Sequence, residues 1–213
     1  MKNKLLCQLR TLIWLILAMV LNVNHVVFAE TKSAEQLVAA LQSGGHLIYM
    51  RHSITRHDQK DQLSEALGDC SKQRNLSAQG RDLAIMIANK ITQLAIPIGP
   101  VYSSPYCRTK ETAQLTFKQF IVVPGLAFSL RKDEYESKQL AEQLHAMMLE
   151  TTLTSDNTVF VGHTSNLRDG LGVWPKPEGV LVIFKKTEQG INYLGMITPS
   201  EWADIPWSSR TAF

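Results

Sequence analysis

No glycine-rich nucleotide-binding loop, no run of basic residues and no pair of histidines or cysteines at zinc-ligand spacing on one predicted element occurs in this chain. The first absence removes the phosphate cradle of nucleotide-binding folds. The second, with no interleaving of aromatic and basic side chains, argues against nucleic acid as a partner. The third argues against a resident metal, and no cofactor motif takes its place. Internal repeats, low-complexity tracts and linkers are also missing, so the sequence reads as one domain, long enough to bury a proper core. Cysteine is scarce, with three among 213 residues.

Long apolar runs are confined to the N-terminus. Lys2, Lys4 and Arg10 precede an apolar stretch from Leu12 to Val20, and Val27-Phe28-Ala29 leads into Glu30. A positive segment, a short apolar core and small residues at a cleavage point predict a secretory signal peptide over residues 1–29, with the functional domain spanning 30–213. The alternative is an uncleaved anchor, but Asn22, Asn24 and His25 interrupt the run before the ~20 apolar residues needed to span a bilayer. No stable membrane anchor is expected after cleavage. Cys7 lies too early for a lipoprotein junction. The whole chain has 22 basic and 19 acidic residues, and the leader takes three of the basic ones, leaving a mature part of zero formal net charge. The predicted location is periplasmic or secreted. An oxidising compartment leaves two readings for Cys70 and Cys107: a disulfide, or two partly buried thiols.

The order of elements predicts an α/β fold, a three-layer α/β/α sandwich with a mostly parallel central sheet. Ser33-Ala34-Glu35-Gln36 has capping-box form, and Leu37, Ala40 and Leu41 follow at helical spacing. Gly44-Gly45 stops that helix. A strand follows, then a polar loop over 54–75 that reads as a roof. Leu76-Ser77-Ala78-Gln79 starts a helix with Leu83, Ile87, Ile91 and Leu94 on one stripe, broken by Pro97 and Pro100. Val101-Tyr102, Phe120–Val123 and Thr158–Val161 read as further strands. Helices are expected after Pro105 and around Leu140, Leu144 and Met147. Val180–Phe184 and Tyr193–Ile197 read as a hairpin pair.

Three of these strands run into chemistry. The first ends on Arg51-His52-Ser53, the second on Ser103-Ser104-Pro105-Tyr106-Cys107-Arg108, and the third on Gly162-His163-Thr164. Open α/β sheets place ligands at such strand ends. Two arginines and two histidines meeting there would bind a phosphoryl group and offer a nucleophile. Imidazole is neutral and nucleophilic near neutral pH. Arg51 and Arg108 would supply forked donors to the equatorial oxygens, and His163 would complete the clamp. Ser53, Thr55, Arg56 and Ser104 are candidate substrate-binding side chains. His57 sits in the roof loop within reach of substrate, His46 opens its strand at the far end and reads as structural, and His145 reads as solvent-facing. Cys107 is a poor nucleophile candidate, because one residue to Arg108 leaves no anion-binding loop between them.

Arg51-His52-Ser53, the Leu76-Ser77-Ala78-Gln79-Gly80 helix start, Ser103 to Ala113 and Gly162-His163 together resemble the histidine phosphatase superfamily, the phosphoglycerate mutase-like fold. The resemblance covers nearly all of the mature chain. It implies a phosphohistidine intermediate on His52, phosphoryl binding by Arg51, Arg108 and His163, and no metal. Ser53 stands where the family has Gly. Ile54, where mutase-like members have Glu, points to a phosphatase and away from a mutase. Thr164, where the acid-phosphatase branch has Asp, removes that proton donor. In the smaller branch an acid follows the second Arg by a couple of dozen residues, which offers Glu134, with Asp133 or no acid at all as alternatives.

The expected activity is therefore that of an exported, metal-independent phosphatase acting on a small phosphorylated substrate, a phosphosugar or an envelope glycan phosphate. The alternative is a non-catalytic binder that captures a phosphorylated envelope ligand in the same pocket. A phosphohistidine protein phosphatase is disfavoured by location. The Trp174-Pro175-Lys176-Pro177-Glu178 segment is placed to shape the pocket, with Lys176 a candidate reader of a second anionic group.

Overall fold

Ser33 accepts the backbone N–H of Gln36 at 3.3 Å while Gln36 Oε1 accepts the N–H of Ser33 at 2.9 Å, so the first helix begins with the reciprocal cap its sequence calls for. The structure is a computed structural model that describes residues 31–62, 67–129 and 132–206; the predicted signal peptide falls outside them. Helix α1 (Ala34–Gln42) leads to β1 (Leu47–Arg51), then α2 (Ala78–Gln93), β2 (Ile98–Ser103), α3 (Cys107–Phe117), β3 (Ile121–Val122), α4 (Glu134–Glu150), β4 (Asn157–Gly162), α5 (Thr164–Leu171), β5 (Leu181–Thr187), β6 (Gly190–Ile197) and α6 (Pro199–Asp204). None of the described helices is long and apolar enough to cross a membrane.

The strands form one sheet in the order β3-β2-β4-β1-β5-β6. The pairs β2–β3, β2–β4 and β1–β4 are parallel, while β5 pairs antiparallel with both β1 and β6. Side-chain alternation along β1 divides the core. Ile48 and Met50 face α1, α2, α3 and α6 through Leu37, Leu41, Ile87, Ala113 and Trp202. Leu47 and Tyr49 face α4 and α5 through Leu144, Met148 and Leu167. Helices cover both faces, so the middles of the central strands β1, β4 and β5 are apolar on both sides and the molecule has three layers. Trp202, near the chain end, is fully buried and ties α6 to this core.

Two strands differ from the sequence expectation. β2 passes through Pro100, where a helix breaker was expected, because the register with β4 shifts between Ile98 and Val101, and a bulge tolerates a residue without an N–H. The third strand is short, only Ile121–Val122, as both side chains are exposed at the sheet edge and have little core to bury.

The described parts of the roof loop are held by specific contacts. A bridge between Thr55 and Leu76 closes its neck, and Ser77 N–H donates to Ile54 O at 2.9 Å. Gly80 lies so close that a Cβ there would sit 1.9 Å from Ile54 O. Inside the loop, Asn75 N–H donates to Gln59 Oε1 at 3.0 Å and Gln62 N–H to Lys72 O at 2.9 Å. Cys70 and Cys107 form a disulfide across 37 residues, which pins the loop to the first residue of α3.

Candidate active site

The parallel register Arg51↔Gly162 sets the ends of β1 and β4 side by side, so His52 and His163 emerge as neighbours. Their ring centroids are 5.5 Å apart, and both residues are buried. His52 N–H donates to Gly162 O at 3.0 Å, and His52 O accepts Gly179 N–H at 3.0 Å, which fixes the backbone on both sides. The ring Nδ1 lies 2.9 Å from Ser53 O. A carbonyl only accepts, so Nδ1 carries the proton and Nε2 keeps its lone pair. Burial, then the charge of Arg108, holds the His52 pKa well below the ordinary imidazole value, against a smaller opposing pull from the Ser53 carbonyl. The ring is therefore held neutral at neutral pH, with the Nε2 lone pair a nucleophile needs.

His163 is held by an arrangement the sequence did not announce. Tyr49 donates its hydroxyl hydrogen to His163 O at 2.7 Å and accepts His163 N–H at 2.7 Å. The Tyr49 ring reaches this point only because residue 162 is glycine; a Cβ there would lie 2.2 Å from the Tyr49 oxygen. Arg108 Nη2 lies 3.4 Å from His163 Nδ1, and Ser104 Oγ lies 2.9 Å from Nε2. With a guanidinium as donor on one side, the neutral ring carries its proton on Nε2 and gives it to Ser104. Burial first, then Arg108 and His52, keep this pKa well below its ordinary value too.

Arg108, in the first turn of α3, is fully buried. Its guanidinium lies 4.6 Å from the Tyr106 ring and 5.4 Å from the Phe128 ring. Its charge is balanced by Asp61 of the roof loop, which accepts from Nη1 at 2.9 Å. Asp61 also accepts the Arg74 N–H at 2.9 Å. Arg51 is matched in the same way by Glu178, at 3.3 Å. Glu178 collects three further donors: Thr55 N–H at 3.0 Å, Thr55 Oγ1 at 3.0 Å and, at 3.5 Å, Arg74. Arg74 is thus a third guanidinium at the site. Arg74, Asp61 and Glu178 were missed as site residues, because acids and bases in polar loops carry no pattern that separates them from solvated charge. The Arg-Asn-Leu-Ser run before the α2 cap was the one available signal for Arg74.

Among the described residues, four buried side-chain polar atoms have no hydrogen-bond partner, and two of these are Nε of Arg51 and Nε of Arg108. Buried donors are nearly always paired. Two orphaned guanidinium donors beside two neutral imidazoles fit an anion that accepts several hydrogen bonds. No group of three or more potential metal ligands occurs among the described residues.

The remaining expected residues fall in different places. Ser53 turns its hydroxyl to Gly80 O at 2.7 Å while its N–H donates to Thr112 Oγ1 at 3.0 Å. Thr55 is committed to Glu178, and Ser104 to His163. All three build the frame of the pocket, with hydroxyls already engaged inside the protein. Arg56 is exposed and paired with Asp58 at 2.7 Å, facing the hollow beside Cys70 and Lys110. Glu134 is exposed in the first turn of α4, and Asp133 caps that helix by accepting Glu136 N–H at 2.8 Å.

No protein-family model matches the chain, and no curated protein matches it in sequence. Solved structures do match in fold. The protein histidine phosphatase SixA, complexed with tungstate, superposes with a TM-score of 0.52 at 16% identity, covering 73% of this chain and 97% of that one. The α-ribazole phosphatase from Shigella flexneri gives 0.54 at 14% identity, covering 72% and 96%. A phosphoserine phosphatase variant from Entamoeba histolytica, in complex with phosphoserine, gives 0.51 at 15% identity, covering 73% and 98%. The chain has the histidine phosphatase fold. Within that fold the strand-end motifs that carried the resemblance in sequence are the segments that converge on the two buried histidines.

Proposed function

We propose that this chain is an exported phosphatase that hydrolyses a phosphomonoester through a phosphohistidine on His52, without a metal. The observation that carries the reading is the pair of adjacent buried imidazoles together with the buried, unpartnered Nε–H groups of Arg51 and Arg108. His52 Nε2 attacks phosphorus, the bond to the leaving oxygen breaks, and that oxygen takes a proton. Water then attacks the phosphohistidine, releasing inorganic phosphate and restoring the ring. Arg51 and Arg108 stabilise the charge on the transferring group throughout. His163 joins them by taking up a proton on Nδ1, which the arriving anion favours by bringing negative charge to the pocket. Glu134 is the proposed proton donor in preference to Asp133, whose carboxylate is spent on the α4 cap.

The leader sequence and the Cys70–Cys107 disulfide both support export, to the periplasm or outside the cell. The three similar structures take different phosphorylated substrates by name, so the fold supports the chemistry and leaves the substrate to be argued from this chain's own surface. A small phosphate ester, phosphosugar or envelope glycan phosphate suits that location.

The test is hydrolysis of p-nitrophenyl phosphate by the mature protein in the presence of a chelator, beside His52→Ala. Turnover in the wild type should persist with chelator and fall by about a thousandfold or more in the variant, the scale for losing an essential nucleophile. Tight phosphate binding with no release of product from any ester would replace this reading with capture of a phosphorylated ligand.

A further inference from the structure

A groove of about 680 Å³, broadly open to solvent, is lined by residues of the roof loop, the 174–178 segment and the start of α6. Arg51, Arg74 and Glu178 line it, so it shares a wall with the phosphoryl site. The rest of its lining is His57, from the roof loop, Lys176, from the segment before Glu178, and the apolar side chains of Ile54, Pro177 and Pro199. The lining thus carries Arg51, Arg74, Lys176 and His57 against one carboxylate. That carboxylate is already shared between two arginines and the two donors of Thr55.

Lys176 is held in place without being neutralised. Its ammonium lies 4.7 Å from the Trp174 ring centre, and among the described residues it makes no ion pair. The same half-exposed ring carries Arg168 at 5.2 Å. A ring face orients a cation but supplies no counter-charge, unlike a carboxylate. The groove therefore presents positive charge without a carboxylate partner at Lys176, next to the site proposed to bind one phosphoryl group. Charge of this kind is unspent unless a ligand brings a second anion.

We propose that this groove is a subsite for a second anionic group, a phosphate or a carboxylate, on the alcohol portion of the substrate, read by Lys176 and His57. The proposal rests on the phosphatase reading and deepens it by giving the substrate class: phosphomonoesters that carry a second negative charge a few bonds from the ester. A neutral leaving group would leave the cations hydrated, whereas a second anion would exchange that water for charge-assisted contacts.

The test measures kcat/KM for alkanediol bisphosphates of graded length, the matching monophosphates and the matching ω-phosphoalkanoic acids. At the best length both doubly anionic esters should exceed the monophosphate by about tenfold, the factor that 1.4 kcal/mol of extra binding confers. The advantage should shrink in about 0.5 M salt, because exposed charges are screened within a few ångströms there. In a Lys176→Met, His57→Gln double variant the ratio should fall toward one, and Lys176→Arg should retain it. Equal kcat/KM for singly and doubly anionic esters at every length, with p-nitrophenyl phosphate still hydrolysed through His52, would overturn the subsite and leave the phosphatase standing. An advantage that survives the double variant would also overturn it. Absence of turnover for every ester would instead strike the phosphatase reading on which the subsite rests.

Discussion

His52 and His163 are buried as neutral rings, and that makes the protein acid-sensitive in a defined direction. Both folded pKa values lie well below the 6.5 of a free imidazole, chiefly because burial penalises the charged form. As pH falls through about 6.5 the unfolded chain takes up protons that the folded chain refuses. Stability therefore holds above that point and drops below it, by about 1.4 kcal/mol per pH unit for each ring until the folded value is reached. Urea midpoints measured from about pH 7 down to pH 5 should show this loss, and His52→Gln should reduce it. A flat profile over that interval would mean that the rings take up protons at the same pH in the folded and unfolded chain. Glu178 supports a second residue-scale expectation. Its replacement by Gln keeps the shape but removes the charge that matches half-buried Arg51 and Arg74. Stability should fall by roughly 1–3 kcal/mol, as for a buried hydrogen-bonded charge left without its partner. Saturating phosphate should restore part of the loss, since the ligand brings its own negative charge.

The roof loop and the end of β4 are the elements on which the site depends. The loop reaches Arg108 through Asp61, and Gln73 Oε1 accepts Cys107 N–H at 2.9 Å beside the disulfide. The Cys70–Cys107 bond thus aligns the loop with α3 one residue from Arg108. A Cys70→Ser, Cys107→Ser double variant should lose about 4 kcal/mol of stability on the chain-entropy account for a loop of this length. It should also lose kcat/KM, since Asp61 and Arg74 would no longer be held against Arg108. Retained kcat/KM under conditions where the variant is fully folded would show that the loop orders itself. At the end of β4, Gly162→Ala forces a Cβ to within 2.2 Å of the Tyr49 oxygen unless the ring moves. The expected cost is about 1–3 kcal/mol, as for other overpacked sites. Because Tyr49 is bonded to both backbone groups of His163, kcat should fall in a variant that still gives a native near-UV circular dichroism spectrum.

For the whole molecule, the bound anion and the fold should reinforce one another. Four strand-end and loop segments are brought together by three guanidiniums and two carboxylates, and a phosphoryl group would join the cations directly. Phosphate or tungstate at about a hundred times its dissociation constant should raise unfolding stability by about 2.7 kcal/mol. His52→Ala should keep most of this effect, because the arginines bind the anion, whereas Arg108→Ala should abolish it. Calorimetry of both variants with and without anion checks the division between binding and chemistry. With residues 1–29 removed, as proposed, the remaining chain has zero formal net charge, which would keep any wider electrostatic attraction local to the site.

The sequence by itself determined the layered α/β fold and the two histidines and two arginines at the strand ends. Those features rest on short-range rules: Ser33 and Ser77 cap their helices, apolar runs make buried strands, and β1, β2 and β4 end where their motifs begin. Only the tertiary structure decided which loop charges join the site. Glu178 lies more than a hundred residues beyond Asp61 and Arg74, and polar loops have no periodicity to show which of their charges turn inward. The hydroxyls divided for the same reason. Ser53, Thr55 and Ser104 read from sequence as candidate substrate-binding side chains, and only the packed structure shows the protein group that each hydroxyl bonds, because a hydroxyl inside the fold takes the partner packed against it.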